Sequence, residues 1–567
     1  MSFGFYPRPR VRLSKHYYHP ERKFTCQMGK MVPCFYEEVL PGDIWKFTGK
    51  VLIRTQPLIA PIYHRVDVKY MFYYVPYRLL MNTDDWASFI TGYEQSDGGS
   101  TDVVLPFVES PSGEGFKPGS LADYLGLVTG VPNFVSTSGA FPFRVYAKVI
   151  NDWYINKYTT DELPLQLSQG KDTLTNRNLF SMNWEDDYFT SASITTQLGD
   201  PIYLPFGQSA PVSGNVAISG NGNALGLSTN GFLSLLPVSD WSAPALGTFG
   251  AGTTPPLAGA ANSAPASQGN NRSYVGLTRD SNRTGLTGTV VNGSADLTKV
   301  ASITVPELRK VSQVSLYQET MAYIGYRFTD WLFGMYGVRS SDARLQRSEF
   351  LGGTMAPLDI SSVVQTSATT DTDTPQGNLS GLAVSAAKFP TWKRRFEEHG
   401  AVIGLMCILP RTGYQQGSRR MFNRTTRYDY GIPMLQHLGQ QALLEKEIFA
   451  QPNGQSTQVN GVQVNNDTIF GYQWQYEDYR YMPSTSHGDF KTSLKYWTLD
   501  RIFDAPPLLN TDFVQSQPSN RVFAVSDQNY DTCLVDILYN IKAYRPLARH
   551  GVPGYLDHPM IFGKGGM

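Results

Sequence analysis

Residues 340–354 read SSDARLQRSEFLGGT, residues 363–370 VVQTSATT, residues 374–378 TPQGN and residues 397–431 EEHGAVIGLMCILPRTGYQQGSRRMFNRTTRYDYG. Within the last of these, AVIGLMCIL is an apolar run bounded by Gly400 and Pro410. It is far too short to span a bilayer and reads as a buried strand. No nucleophile in this region stands beside a base, and no set of metal ligands recurs at a binding spacing. Outward from it, the same strand signal returns at both ends of the chain. VDVKYMFYYVP (residues 66–76) puts Val66, Val68, Tyr70, Phe72 and Tyr74 on one face, with Asp67 and Lys69 on the other. VLPGDIWKF (residues 39–47) has a Pro-Gly-Asp turn feeding an aromatic strand. CLVDILYNIKAYRP (residues 533–546) alternates Val535, Ile537, Tyr539 and Ile541 with Asp536, Asn540 and Lys542. Strands at both ends and in the centre, separated by long insertions, predict a β-barrel or sandwich closed by distant parts of the chain.

The bulk properties bound what such a chain does. It has 567 residues, more than a usual single domain, with 48 basic and 48 acidic side chains. Neutrality argues against a protein that coats nucleic acid unaided, because phosphate affinity comes from Lys and Arg. Charged residues make up 17 % and aromatics 13 %, a balance that fits either extensive contact with partners or large aromatic cores. The cysteines Cys26, Cys34, Cys407 and Cys533 show no CxxC spacing, which speaks against zinc or redox use and for a reducing compartment. MSFGFYPRPRVRLSKHYYH at the start lacks the apolar core of a signal peptide, so a soluble protein without membrane insertion is expected.

Three segments carry helical signals: residues 143–158, the region opening TVPELRKVSQV with Pro306 and Glu307 in its first turn, and MLQHLGQQALLEKEIF (residues 434–449). All three are expected as insertions lying on the barrel surface. Residues 208–298 differ in kind. They contain few charges (Asp240, Arg272, Arg279, Asp280, Arg283, Asp296) and are rich in Gly, Ser, Ala, Asn and Thr, a linker or loop by composition. Apolar residues scattered within it, among them Phe232, Leu233, Leu235, Leu236 and Trp241, leave open a mobile loop or a projection ordered by neighbouring copies.

Several words recur in order along the chain: MVPCFYEEVLPGDIWKF, YMFYYVPYRLL, SLADYLGL, FPFRVYAKVINDWY, DDYFTSA, GDPIYLPFG, SDARLQR, EFLGG, QTSAT, TPQGN, EHGAVIGL, YQQG, TRYDY, FGYQWQYEDYRY, KAYRPL and VPGYLDH. In this order they resemble the coat proteins of the microviruses, small single-stranded DNA phages, and within them the gokushovirus-like branch. QLGDP after DDYFTSASITT departs from the Pro-rich run of related chains and leaves the branch open. The resemblance implies a mainly β protein, a single eight-stranded antiparallel jelly roll with long, partly helical insertions. It divides the chain into a basic arm (1–27), a first part of the jelly roll (28–207), an insertion (208–298) and the remainder with a C-terminal arm (299–567). It further implies a sixty-copy T=1 icosahedral shell, with pentamers as assembly intermediates, around a circular single-stranded DNA genome. Its partners would be a small basic DNA-binding protein, an internal scaffolding protein, a DNA pilot protein and a host surface receptor. The coat would assemble in the bacterial cytoplasm and reside in the virion. The insertion at 208–298 occupies the place of the three-fold projection thought to meet the host, making Phe232, Trp241 and Tyr274 candidate contacts.

Candidate DNA contacts follow from charge. The N-terminal segment carries Arg8, Arg10, Arg12, Lys15, Arg22 and Lys23 against Glu21, interleaved with Tyr6, Tyr17, Tyr18 and Phe24. Cations that follow phosphates beside rings that stack on bases suit single strands; an arm packed on a neighbouring subunit explains the same pattern. Weaker candidates are Lys393, Arg394 and Arg395, then Arg419, Arg420 and Arg424, which Glu397, Glu398 and Asp429 are placed to neutralise. Enzyme signals are absent: GNGNALG (residues 220–226) lacks the GxGxxG spacing, and no GxxxxGK[ST] occurs. His16 and His19 have no third ligand, so neither a catalytic residue, a metal nor a cofactor is expected. The rival reading from another class is a carbohydrate-binding or carbohydrate-active β-protein, supported by the aromatic content and the Gly/Ser loop.

Overall fold

The computed structural model describes residues 13–91, 103–197, 199, 224–228, 233–236, 274–277, 305–324, 327–364, 366, 377–527 and 530–547. It is mainly β, with antiparallel sheets and few helices. The strands that matter are β1 (Ser14–Tyr18), β2 (Glu21–Cys26), β3 (Val32–Val39), β4 (Ile44–Thr55), β5 (Val66–Pro76), β6 (Glu349–Pro357), β7 (Asp359–Val364), β8 (Leu379–Lys388), β9 (Trp392–Arg395), β10 (Gly400–Pro410), β11 (Gln440–Leu444), β12 (Ile469–Trp474) and β13 (Cys533–Arg545). Sheet one runs β7–β8–β4–β13–β1; β9 also pairs with β4, and β2 with β13. Sheet two runs β6–β5–β10–β3. Sheet one thus joins strands from both ends of the chain, and sheet two joins strands near the N-terminus to central ones, as the dispersed strand signals require.

The alternating faces meet between the sheets. Val66, Val68, Tyr70, Phe72 and Tyr74 of β5 share one buried core with Trp45, Phe47, Val51 and Ile53 of β4 and with Val535, Ile537, Tyr539 and Ile541 of β13. Phe47 sits at its centre: its ring stacks on Trp392 at 4.9 Å and lies 4.7 Å from Phe72 of the opposite sheet. The expected polar face of β5 is not solvated. Tyr73 and Val75 on that side, with Ile403, Leu405, Cys407 and Leu409 of β10, pack in a second core against helix α1 (Ala140–Trp153). This explains why β10 is buried along its whole length, the pattern of a strand covered on both faces. Its glycines are close approaches: a Cβ on Gly400 would lie 2.4 Å from the Val75 carbonyl oxygen, and one on Gly404 2.6 Å from the Phe72 ring.

Helix α1 carries Pro142 in its first turn, where a missing N–H is harmless, and is enclosed rather than laid on a surface. Arg144 is fully buried, donating to Asp172 Oδ2 at 2.7 Å and to the carbonyls of Leu80 and Ser168, each at 2.8 Å. The second expected helix forms at Val305–Ile324, but Leu308 and Val314 stay exposed. The third does not form. Pro433–Leu435 makes one 3-10 turn, and β11 then pairs with β12. Gly439 at φ 98° breaks any helix there, and Gln441 and Leu443 are buried on alternate positions of a strand.

Residues Asp200–Leu316 form a separate compact unit. Where composition suggested a loop, this unit contains a three-stranded antiparallel sheet, Tyr274–Leu277 beside Ala224–Ser228 beside Leu233–Leu236. Phe232 and Trp241 lie outside the described residues, and Tyr274 opens the first of these strands. All four cysteines are buried free thiols. Among the described residues no helix is long and apolar enough to cross a membrane.

Candidate nucleic-acid interface

The two sheets differ in what covers their outer faces. Sheet two is capped by α1; among the described residues the outer face of sheet one is exposed along β4, and its composition is fixed by strand parity. In β4 every second residue is inward, so Trp45, Phe47, Val51 and Ile53 are buried while Lys46, Lys50, Leu52 and Arg54 are exposed. Residues directly opposite in an antiparallel pair share a face. Lys46 stands opposite Lys393 of β9 on one side and Lys542 of β13 on the other. Lys542 in turn faces Tyr17 of β1. Lys50 stands opposite Lys388 of β8, and Tyr544 opposite Lys15. Three lysines therefore lie abreast across about 10 Å, two strand spacings.

Like charges opposed across strands destabilise a sheet, and among the described residues Lys46, Lys50, Lys388, Lys393 and Lys542 form no ion pair that offsets this. The acids on the face sit apart from that row: Glu21 bonds Lys23 at 3.1 Å, Asp536 stands opposite Lys23, and Asp359 lies on β7. Tyr17, roughly half exposed, has the Lys15 and Lys542 ammonium groups 4.7 and 5.8 Å from its ring centre. Its hydroxyl contact with Lys15 raises that ammonium's pKa, so the charge is kept. Leu534 and Leu538 of β13 are exposed on the same face, opposite Arg54 and Lys50. A positive, partly apolar surface with an exposed ring has the ingredients of a single-strand track: ammonium groups for phosphates, rings and aliphatic patches for bases.

The sequence-predicted residues divide. Lys15, Lys23, Lys393 and Arg395 come together on this face. Arg8, Arg10 and Arg12 lie outside the described residues. Arg22 has the opposite parity to Lys23 and turns inward, donating to the Cys34 carbonyl at 3.2 Å and to the carbonyl of Tyr124. From Ser14 to Cys26 the expected arm is two strands of the chain's own sheet, because each alternates and Pro20 separates them. Arg394 pairs with Glu349. Arg420 and Arg424 lie elsewhere, bound to Glu447 at 3.1 Å and Asp478 at 2.7 Å, and Arg419 is exposed beside them. The acids expected to neutralise them have other duties: Glu398 pairs with Arg78, and Asp429 accepts from the backbone N–H groups of Thr425 and Thr426. Sequence reading missed Lys46, Lys50, Arg54, Lys388 and Lys542. The even four-residue spacing of Lys46, Lys50 and Arg54 within one strand was the available signal.

Comparisons with known proteins bear on the whole chain. The sequence profile described as capsid protein (F protein) matches residues 8–555. The chain is 31 % identical over 560 residues to the capsid protein VP1 of Bdellovibrio phage phiMH2K, covering 97 % of each. It is 32 % identical over 598 residues to capsid protein VP1 of Chlamydia phage 1, again 97 % of each, and 29 % identical over 552 residues to that of Spiroplasma virus 4, covering 93 % of this chain and 92 % of the relative.

Proposed function

This chain belongs to the phage capsid protein (F protein) family, and from that premise we propose how it builds and fills its shell. Its role is structural and not catalytic: it is the major capsid protein of a virion, made by self-assembly. The finer reading is a T=1 shell of sixty copies enclosing circular single-stranded DNA, with the two-sheet body as an eight-stranded jelly roll. The strand orders, which interleave early and late strands in both sheets, support the latter. The open face of sheet one is turned to the genome, and the single observation that carries this is the uncompensated row Lys393–Lys46–Lys542. The residues 208–298 form the projection at the three-fold axes and meet the host receptor. A small basic protein neutralises much of the remaining DNA charge, which is why a neutral chain suffices. Assembly proceeds through pentamers in the bacterial cytoplasm with an internal scaffolding protein, and a pilot protein travels with the DNA.

Electron microscopy of native particles, paired with nuclease protection, tests this reading. Uniform icosahedral particles holding protected DNA are the expected result. Finding the chain only as a monomer or small oligomer in phage lysate would overturn it and return attention to carbohydrate binding.

A further inference from the structure

Away from the basic face, residues of the 414–424 loop, the 478–485 stretch and Tyr188 and Phe189 enclose a cavity of about 300 Å³. Its floor is aromatic: Tyr188 stacks on Tyr481 at 5.9 Å, and Phe189 meets Tyr414 at 4.9 Å. Its polar wall is Arg424 bound to Asp478, the guanidinium lying 4.4 Å from the Tyr479 ring centre. Both side chains are about nine-tenths buried. Yet Arg424 Nε and Asp478 Oδ1 have no hydrogen-bond partner among the described residues. A buried donor and acceptor left unmet are costly, and a turn of either side chain toward the cavity would let the C=O and N–H of a peptide backbone meet them.

The surroundings fit a protein better than a small molecule. The cavity is at the small end of the ligand-pocket range of about 300–1,000 Å³, whereas apolar side chains of its lining and rim stand out to solvent. Met482 is 86 % exposed, Phe422 70 %, Tyr430 57 %, Tyr479 52 % and Met421 48 %. At about 200 Å² per large side chain these expose roughly 600 Å², most of the ~800 Å² per partner of a standard interface. Methionine and aromatics are the types enriched at interface centres. A concave pocket needs a convex element on the neighbouring copy, and in a closed shell every copy offers both.

We infer that this pocket and its rim are a subunit–subunit contact of the shell, receiving a main-chain segment and an apolar side chain from a second copy of the chain. The inference rests on the self-assembly reading above. The test oxidises Met421 and Met482 with dilute peroxide in intact particles and in folded subunits dissociated from them, with sulfoxide counted by peptide mass spectrometry. Particles assembled from mixed light- and heavy-nitrogen chains are cross-linked in parallel. The expected result is oxidation at least fivefold slower in particles, with light-to-heavy links from the 414–424 and 478–485 peptides. Equal oxidation in intact particles overturns the inference and leaves the shell reading standing, and links solely to a different virion protein overturn the choice of partner. If no particles form, the shell reading fails and this inference with it.

Discussion

The row Lys393–Lys46–Lys542 makes a prediction with two opposite signs. Lys46 has a like charge directly across from it on both sides, and each cross-strand charge pair is worth about 0.2–1 kcal/mol. Lys46→Gln removes both repulsions and raises stability by about 0.4–2 kcal/mol, visible as a higher urea midpoint at unchanged slope. The same change weakens single-stranded DNA binding. Each phosphate contact contributes about −0.7 to the slope of log K against log salt for single strands. Losing one contact at 0.1 M salt therefore costs about fivefold in affinity, and replacing all three lysines by glutamine about a hundredfold. The assay is fluorescence anisotropy of a labelled oligothymidylate with the full chain between 50 and 200 mM salt. Lys117→Gln, at a surface lysine paired with Glu114, serves as control. The slope of the triple variant should fall by about 2 and that of the control should hold. A triple variant that is more stable but keeps the full slope would refute DNA contact at this face. A variant that is less stable would refute the electrostatic reading of the row itself.

Three other outcomes follow from the buried groups. Phe47→Ala opens the centre of the main core, touching both sheets, and should cost about 3–5 kcal/mol in chemical denaturation; a cost under 1 kcal/mol would mean the sheets do not pack through it. Arg144→Met leaves the Asp172 carboxylate buried without its cation and should cost about 3–5 kcal/mol, whereas Arg144→Met combined with Asp172→Asn should recover part of that loss. Glu445 is 1 % exposed and burial pushes its carboxyl up to about 8, against about 4.3 in an unfolded chain. The folded state holds that proton more tightly, so its stability contribution is full below about pH 4, falls as pH rises toward 8, and is level above. Glu445→Gln should therefore gain on the wild type between pH 5 and 8 by up to about 5 kcal/mol; parallel pH profiles would show the carboxyl is solvated.

What the sequence discloses here is parity, and what it conceals is register. The two-residue period of β5 and β13 named the inward side chains correctly, and Tyr70, Phe72, Ile537 and Tyr539 are all in the core between the sheets. Parity also separates neighbours that composition groups together: Arg22 and Lys23 look like one basic cluster, yet a strand must send one inward and the other out. The helix expected at residues 434–449 failed because its apolar residues fit a turn followed by a strand once Gly439 is placed at positive φ and β12 supplies a partner. The covering of β5's second face was hidden for a similar reason, since α1 reaches it from residues 140–153 and nothing in VDVKYMFYYVP says so. The basic face shows the limit most clearly. Lys46 is separated in sequence from Lys393 and Lys542 by most of the chain, and each lysine alone is an ordinary exposed residue of an alternating strand. Only the pairing of β4 with β9 and β13 sets them side by side. A one-residue slip in either pairing would turn the partner lysine into the core, where the aromatic packing of Phe47 against Trp392 and Tyr539 forbids it. The apolar core therefore fixes the register, and the register in turn fixes the charge that faces outward.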